Sequence, residues 1–362
     1  MDSTYAVIDL VALRSNLQVL QQKAPQSQIL AVIKADAYGH GMVKIAQALT
    51  GVYAFGVARL NEAIRLRNAG IDKPILLLEG FFEDDDLEVI VEHNLETVIH
   101  SPEQVQALLK ANLHKPIHAW LKLDTGMHRL GFTKDAFSLA YEQLKNSPNV
   151  QKPINLMTHF SCSDELDNAM TKLQIDLFNR QTNTLIEGNG GLRSLANSAA
   201  ILAWPKAHAE VIRPGIALYG VSPFAEESAQ TEQLKPVMTL KSRVIALKQL
   251  KAGDHVGYGA NWTAAEDTTI AVIAIGYGDG YPRMAPAGTP VLINGRIVPI
   301  VGRVSMDMLT VDLGQACKDK VGDQVTLWGE GLPATEVAQH IGTIAYELIT
   351  KLTSRVALHY RE

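Results

Sequence analysis

The chain has 362 residues, of which 47% are hydrophobic and 20% charged, and its net charge at pH 7 is -5. This length predicts one large barrel with an addition, or two domains. The acidic balance offers no basic field to nucleic acid or to an anionic membrane, and no apolar run reaches the ~18 residues that span a bilayer.

The opening residues, Met1-Asp2-Ser3-Thr4-Tyr5-Ala6, lack the basic and apolar regions of a secretory leader. The two cysteines, Cys162 and Cys317, belong to no CxxC pair. Together these features predict a reducing, cytoplasmic setting. The histidines are scattered and form no metal-ligand set; Pro116 argues against a shared helix for His114 and His118.

From residue 30 the chain alternates strand-like and helix-like segments. Residues 30–33 read as a strand and precede a helical stretch at 43–49. The pairs 54–57 with 61–68, 74–78 with 84–93, and 95–99 with 102–111 follow. Then come 118–123 with 136–145, and 154–158 with 168–187, before short segments at 192–196 and 211–216. Eight β-then-α units imply parallel pairing through crossover helices. They favour a closed (β/α)8 TIM-type barrel, with an open doubly wound sheet as the alternative. Residues 226–235 are polar and read as a linker. The predicted domains are therefore a barrel over residues 1–230 and a mostly β domain over residues 231–362. In the second, β-branched runs at 237–246, 269–275, 291–293, 297–300, 308–311 and 324–328 are separated by turns, with helices at 333–341 and 346–352. Asn294-Gly295 is a hairpin signal.

Chemistry concentrates at the predicted strand ends. The run 29–33 ends in Lys34, at the end of the strand where barrels carry their active sites. Lysine forms Schiff bases with carbonyl cofactors, although a lone strand-end lysine usually reaches into water. Four more strand ends carry polar residues: Lys122 to Arg129, Thr158-His159, Asn197-Ser198, and Arg213-Pro214-Gly215. In a barrel all five converge on one mouth. Gly215 would let backbone amides approach a phosphate, with Ser198 as a further donor.

These residues lie in longer motifs. They are Lys34-Ala35-Asp36-Ala37-Tyr38-Gly39-His40-Gly41, Asp124-Thr125-Gly126-Met127-His128-Arg129-Leu130-Gly131 and Arg213-Pro214-Gly215-Ile216-Ala217-Leu218-Tyr219-Gly220. Further on stand Val256-Gly257-Tyr258-Gly259, Ile275-Gly276-Tyr277-Gly278-Asp279-Gly280-Tyr281, Val301-Gly302-Arg303-Val304-Ser305-Met306-Asp307 and Tyr346-Glu347-Leu348-Ile349-Thr350. In content and order, across essentially the whole chain, they resemble the bacterial alanine racemases, enzymes with a (β/α)8 barrel, a C-terminal β domain and pyridoxal 5′-phosphate.

The resemblance implies that Lys34 holds the cofactor as an internal aldimine and is one of two bases. Tyr258, from the partner subunit of a homodimer, is the other. Arg213 faces the pyridine nitrogen and His159 the ring. Tyr38, Asn197, Ser198, Gly215, Ile216 and Tyr346 belong to the cofactor site, most of them around the phosphate. Arg129 contacts the ring hydroxyl and the substrate carboxylate, Met306 offers that carboxylate its backbone N–H, and Tyr277 lines the entrance. Lys122 matches a lysine that family members can carry as a carbamate. The implied reaction interconverts L- and D-alanine and supplies D-alanine for peptidoglycan. A serine or broad-specificity racemase is the nearest alternative; a decarboxylase of basic amino acids and a non-catalytic cofactor carrier are more distant ones. One departure is visible. Some members have a histidine three residues before the Asn-Ser pair, bonded to the catalytic tyrosine, and this chain has Ser194 there.

Overall fold

The computed structural model describes residues 3–186, 190–225, 229 and 231–362. Strand β1 (Tyr5–Asp9) comes first. The predicted apolar runs then form β2 (Gln28–Val32), β3 (Ala54–Val57), β4 (Ile75–Leu77) and β5 (Glu96–Ile99). They continue as β6 (Ile117–Lys122), β7 (Val150–Met157), β8 (Arg193–Ser194) and β9 (Val211–Ile212). These eight make one parallel sheet in the order β8-β7-β6-β5-β4-β3-β2-β9. Its two ends meet where the Arg213 N–H donates to the Ala196 carbonyl at 2.9 Å, so the sheet curls into a nearly closed barrel.

Period-two alternation sends each strand's residues to two cores. Leu30, Val32, Ala54, Leu76, Val98, Trp120, Met157 and Val211 fill the barrel interior. Ile29, Ala31, Phe55, Ile75, Leu77 and Leu121 face the outer helices. Both faces are apolar because both are covered, which is why these strands read as continuous hydrophobic runs. The buried Glu96 sits among them because its carboxylate accepts the Trp120 Nε1–H at 2.7 Å.

The second domain contains β10 (Met238–Leu250), β11 (His255–Val256), β12 (Trp262–Thr263), β13 (Thr268–Ile273) and β14 (Pro290–Ile293). It ends with β15 (Arg296–Val301), β16 (Leu309–Gly314), β17 (Gln324–Trp328) and β18 (Ala357–Arg361). Its large sheet runs β13-β16-β15-β14-β17-β10-β1-β18, with β10 also pairing β13. The Asn294-Gly295 hairpin joins β14 to β15, both turn residues taking positive φ.

Residues 5–23 carry structure that the sequence reading left unassigned. Strand β1 crosses to the second sheet, antiparallel to β10 and parallel to β18, and the helix Leu10–Lys23 then returns to the barrel. Five residues with two buried positions are too short a signal without their partners, which lie more than 220 residues away. The predicted helix 168–187 appears as Met170–Ile186, its last predicted residue lying outside the described residues, as do 226–228 and 230 of the predicted linker.

The domains also meet at the barrel mouth. The helix Ala345–Thr350 packs on the segment Lys34–Gly39 so closely that a side chain at Gly39 would strike the Ile349 carbonyl. The Tyr360 hydroxyl donates to the His40 carbonyl at 3.1 Å.

Candidate active site

The segment after β2 is a helical turn of the wrong hand. Ala35, Asp36, Ala37 and Tyr38 have φ of 52°, 51°, 56° and 53°. Each such non-glycine residue costs roughly 1–2 kcal/mol, so the turn persists only because its surroundings hold it. The Glu62 carboxylate accepts the Ala35 N–H at 2.7 Å. Asp36 Oδ1 accepts the Met42 N–H at 3.0 Å and the Arg65 guanidinium at 2.9 Å. The buried His40 contributes Nδ1–H, shared between the Ala37 and Tyr38 carbonyls. The Tyr38 ring lies beside Tyr219 and Tyr346, with centroids at 4.9 and 6.2 Å. This turn directs both Lys34 and Tyr38 into a cavity of about 1240 Å³.

That cavity opens at the carboxyl ends of the barrel strands. Lys34, Tyr38, Lys122, Arg129, His159, Asn197, Ser198, Arg213, Gly215, Ile216 and Tyr346 all line it. Eleven of the fourteen site residues expected from the sequence thus meet at one place. The other three, Tyr258, Tyr277 and Met306, lie outside it on the second domain and are exposed, Tyr258 to 71%. Tyr277 and Met306 belong to interlocked loops: the Tyr277 N–H donates to the Ser305 carbonyl and the Gly278 N–H to that of Met306.

Arg213 is the buried anchor. Its Nη1 donates to Ser194 Oγ at 2.6 Å, and its Nη2 to the carbonyls of Thr158 at 2.6 Å and Leu195 at 3.2 Å. Burial lowers its pKa to about 10, which leaves it charged at neutral pH. Nη2 also approaches His159 Nδ1 at 3.5 Å. A guanidinium only donates, so Nδ1 is the acceptor and the imidazole proton sits on Nε2. Burial and then the charges of Arg213, Lys122, Arg129 and Lys34 hold His159 well below its ordinary pKa, hence neutral. Ser194 therefore serves Arg213; within this chain it does not meet Tyr258.

Lys122 is buried without an ion-pair partner among the described residues. Burial, followed by Arg213, Arg129 and Lys34, lowers its pKa to about 8. Burial likewise lowers that of Lys34; Glu79 and Glu62 oppose the shift, and Arg129 and Arg59 add to it. Arg129 rides on a loop folded by Asp124, whose Oδ1 accepts the Gly126 and His128 N–H groups at 2.9 and 3.1 Å.

The same cavity holds a cradle built from Asn197, Ser198 and Gly215. Asn197 caps the helix Ser198–Ala203 by accepting the Ala200 N–H at 3.0 Å. Ser198 Oγ accepts the N–H groups of Gly215 at 2.9 Å and Ala217 at 3.3 Å. Gly215 is required here by space, since a Cβ would lie 2.5 Å from Tyr38 Oη. Lys34, Lys122, Arg129 and Arg213 line the same cavity as Ser198 and Gly215, and this concentration of positive charge beside a hydroxyl suits a compact anion.

Sequence reasoning missed Arg59, Glu62 and Glu79. Glu79 follows β4 by two residues, as Lys34 follows β2, and it lines the same cavity. A charged residue after the run 74–78 was the available signal. Among the described residues no group of three or more His, Cys, Asp or Glu side chains could hold a metal ion, and no helix is long and apolar enough to cross a membrane.

Comparison with known proteins agrees with this geometry. Residues 8–223 match the family model "Alanine racemase, N-terminal domain", and residues 237–360 match "Alanine racemase, C-terminal domain". The chain is 56% identical over 362 residues to the alanine racemase of Vibrio vulnificus strain CMCP6, covering 100% of both. It is 57% identical over 360 residues to that of Aeromonas hydrophila, covering 99% of this chain and 100% of the other. Its fold matches the crystal structure of the biosynthetic alanine racemase from Pseudomonas aeruginosa with a TM-score of 0.95, 45% identity and 100% coverage of both chains. The alanine racemase of Acinetobacter baumannii matches with a TM-score of 0.92, 39% identity and 100% coverage of both. A nearly closed parallel barrel with a lysine and a buried arginine at its mouth, joined to an antiparallel β domain, is thus the fold of this chain, and the chain belongs to the alanine racemase family, a family of isomerases.

Proposed function

We propose that the chain racemises alanine with pyridoxal 5′-phosphate held at the barrel mouth, using two bases on opposite faces of the substrate. The observation that carries this reading is the convergence of Lys34, Arg213 and the Ser198–Gly215 cradle in one cavity. Lys34 would anchor the cofactor. Tyr38, Asn197, Ser198, Gly215, Ile216 and Tyr346 would bind its phosphate end, and Arg213 and His159 would meet its ring. Bound, the cofactor supplies an electron sink that makes the substrate's Cα proton acidic.

The protein's own groups then move that proton. Lys34 Nζ takes or returns it on one face, and its lowered pKa favours the neutral amine this needs. The partner subunit's Tyr258 does the same on the other face. The exposure of Tyr258 and its distance from its own chain's cavity support delivery to a second copy, and with it a homodimer. Arg129 would bind the substrate carboxylate together with the Met306 N–H, which has no partner among the described residues. Tyr277 would line the entrance. Arg213 stays charged and only donates, so it would keep the pyridine nitrogen unprotonated and restrain side reactions. Lys122, with its pKa near 8, has the neutral fraction that carbamate formation requires; as an anion it would hold Arg129.

The product would serve peptidoglycan synthesis in the cytoplasm, a setting supported by the free thiols of Cys162 and Cys317. We place the domain boundary between residues 230 and 231, with β1 lent to the second sheet. Incubating the purified protein with L-alanine in deuterated water tests the whole reading. D-alanine labelled at Cα is expected; serine turned over as well as alanine would instead favour a broader racemase. Carbon dioxide from a basic amino acid, or no exchange, would overturn the reading.

A further inference from the structure

Lys34 forms no ion pair of its own among the described residues, yet two paired charges stand beside its cavity. Glu79 is held at both ends. Its carboxylate pairs with Arg59 at 3.2 Å, and its carbonyl accepts His100 Nε2–H at 3.0 Å. Gly80, at φ +74°, makes the turn that follows; a Cβ there would lie 2.5 Å from the Val98 carbonyl. Arg59 is fixed in turn, with its guanidinium 4.9 Å from the centroid of the Phe82 ring. Glu79 lines the cavity and Arg59 does not, and of the two side chains Arg59 is the more exposed, so the pair is a built dipole reaching from the cavity lining toward solvent.

We propose that Arg59 and Glu79 are positioning residues that set the charge state of the Lys34 amine. Glu79 alone would hold Lys34 as an ammonium, which can neither attack a carbonyl nor take a proton. Arg59 draws that carboxylate into a pair and cancels part of its field, while the remaining bias keeps the amine from titrating too low. Of the charges near Lys34, Glu79 raises its pKa most, and Arg59 opposes it. The other titratable groups around Lys34 are Glu62 after β3, Lys122 and Arg129 from β6 and its loop, His159 after β7, and Arg213 after β9 and Tyr38 on the turn itself, which line the same cavity. Glu62 is already committed to three backbone N–H groups, those of Ala35, Ala58 and Arg59. The cations are common to every variant below. The Arg59–Glu79 pair is thus the adjustable element.

The inference rests on Lys34 being the reacting amine, but its test does not need the reaction. Full-length protein, freed of cofactor by hydroxylamine, is acetylated across a pH series. The rate at Lys34 is read by peptide mass spectrometry against exposed lysines of the same sample. Glu79→Gln is expected to move the midpoint of the profile to lower pH, making Lys34 about threefold faster near neutrality. Arg59→Gln is expected to move it the opposite way. Glu79→Asp keeps the charge and should return the midpoint toward wild type, which guards against a folding defect in Glu79→Gln. Midpoints that stay put, or that move the same way in both Gln variants, overturn the proposal. So does a changed plateau with an unmoved midpoint, since that reports access and not charge. Failure of the cofactor reading shows separately, as wild-type protein that gains no visible absorbance when pyridoxal phosphate is returned.

Discussion

The Ser194 hydroxyl accepts a hydrogen bond from Arg213 Nη1 at 2.6 Å and donates its own proton to the Val211 carbonyl at 2.7 Å. One side chain thereby orients the buried cation and ties β8 to β9 at the seam of the barrel. Ser194→Ala would leave both a guanidinium N–H and a carbonyl without this partner. A buried group left unsatisfied costs about 1–3 kcal/mol. Urea unfolding should show a loss of that size, and pyridoxal phosphate affinity should fall with it.

The Gly215 position has no room for a methyl group, because its Cβ would lie 2.5 Å from Tyr38 Oη and 3.2 Å from Cζ. Tyr38 cannot yield freely between Tyr219 and Tyr346. Overpacking of this kind costs about 1–3 kcal/mol. Gly215→Ala should therefore raise the dissociation constant of pyridoxal phosphate by about tenfold or more. Equilibrium dialysis measures this directly.

Lys34→Ala removes the only amine that the left-handed turn presents to the cavity. The purified variant should lack the visible absorbance of a lysine-linked cofactor while keeping the wild-type circular dichroism. An unchanged absorbance would show that another lysine is the anchor.

The two faces of the reaction separate in Tyr258→Phe. If Tyr258 serves the L-face, turnover starting from L-alanine should be crippled, while Cα proton exchange from D-alanine, which uses Lys34, should survive far better. Equal losses would count against a two-base arrangement. Because Tyr258→Phe keeps the ring and removes one hydroxyl, the unfolding midpoint should stay nearly unchanged.

His40 makes stability depend on pH. Burial, only partly offset by its bonds to the Tyr38 and Ala37 carbonyls, lowers its pKa from 6.5 to about 4. Its unfolded form binds the proton more readily, so the stabilisation is present above pH 6.5. It is lost as pH falls from there through about 4. Between pH 7 and pH 5 this amounts to about 2 kcal/mol. Urea titrations should show that loss in the wild type and a smaller one in His40→Phe.

Much of the fold could be read along the chain because its signals are local. The runs at 30–33, 54–57 and 95–99 announce doubly buried strands, since a parallel strand covered on both faces is apolar throughout. Lys34, Arg213 and the Ser198–Gly215 cradle could be read because their motifs are short and contiguous. Tertiary structure alone decided what depends on distant pairs. Strand β1 acquires its identity from β10 and β18, and its five residues mean little without them. Ser194 gains its role from Arg213, nineteen residues away. Arg59 and Glu79 follow different strands and become a pair only when neighbouring loops meet at the barrel mouth. The left-handed turn under Lys34 is the clearest case. No local preference favours four consecutive non-glycine residues at positive φ, so the conformation exists only where Glu62, Arg65, Met42 and Tyr219 have already been brought around it. Sequence determined which residues stand at the strand ends around the barrel mouth; the packed structure decided their hand, their charge and their partners.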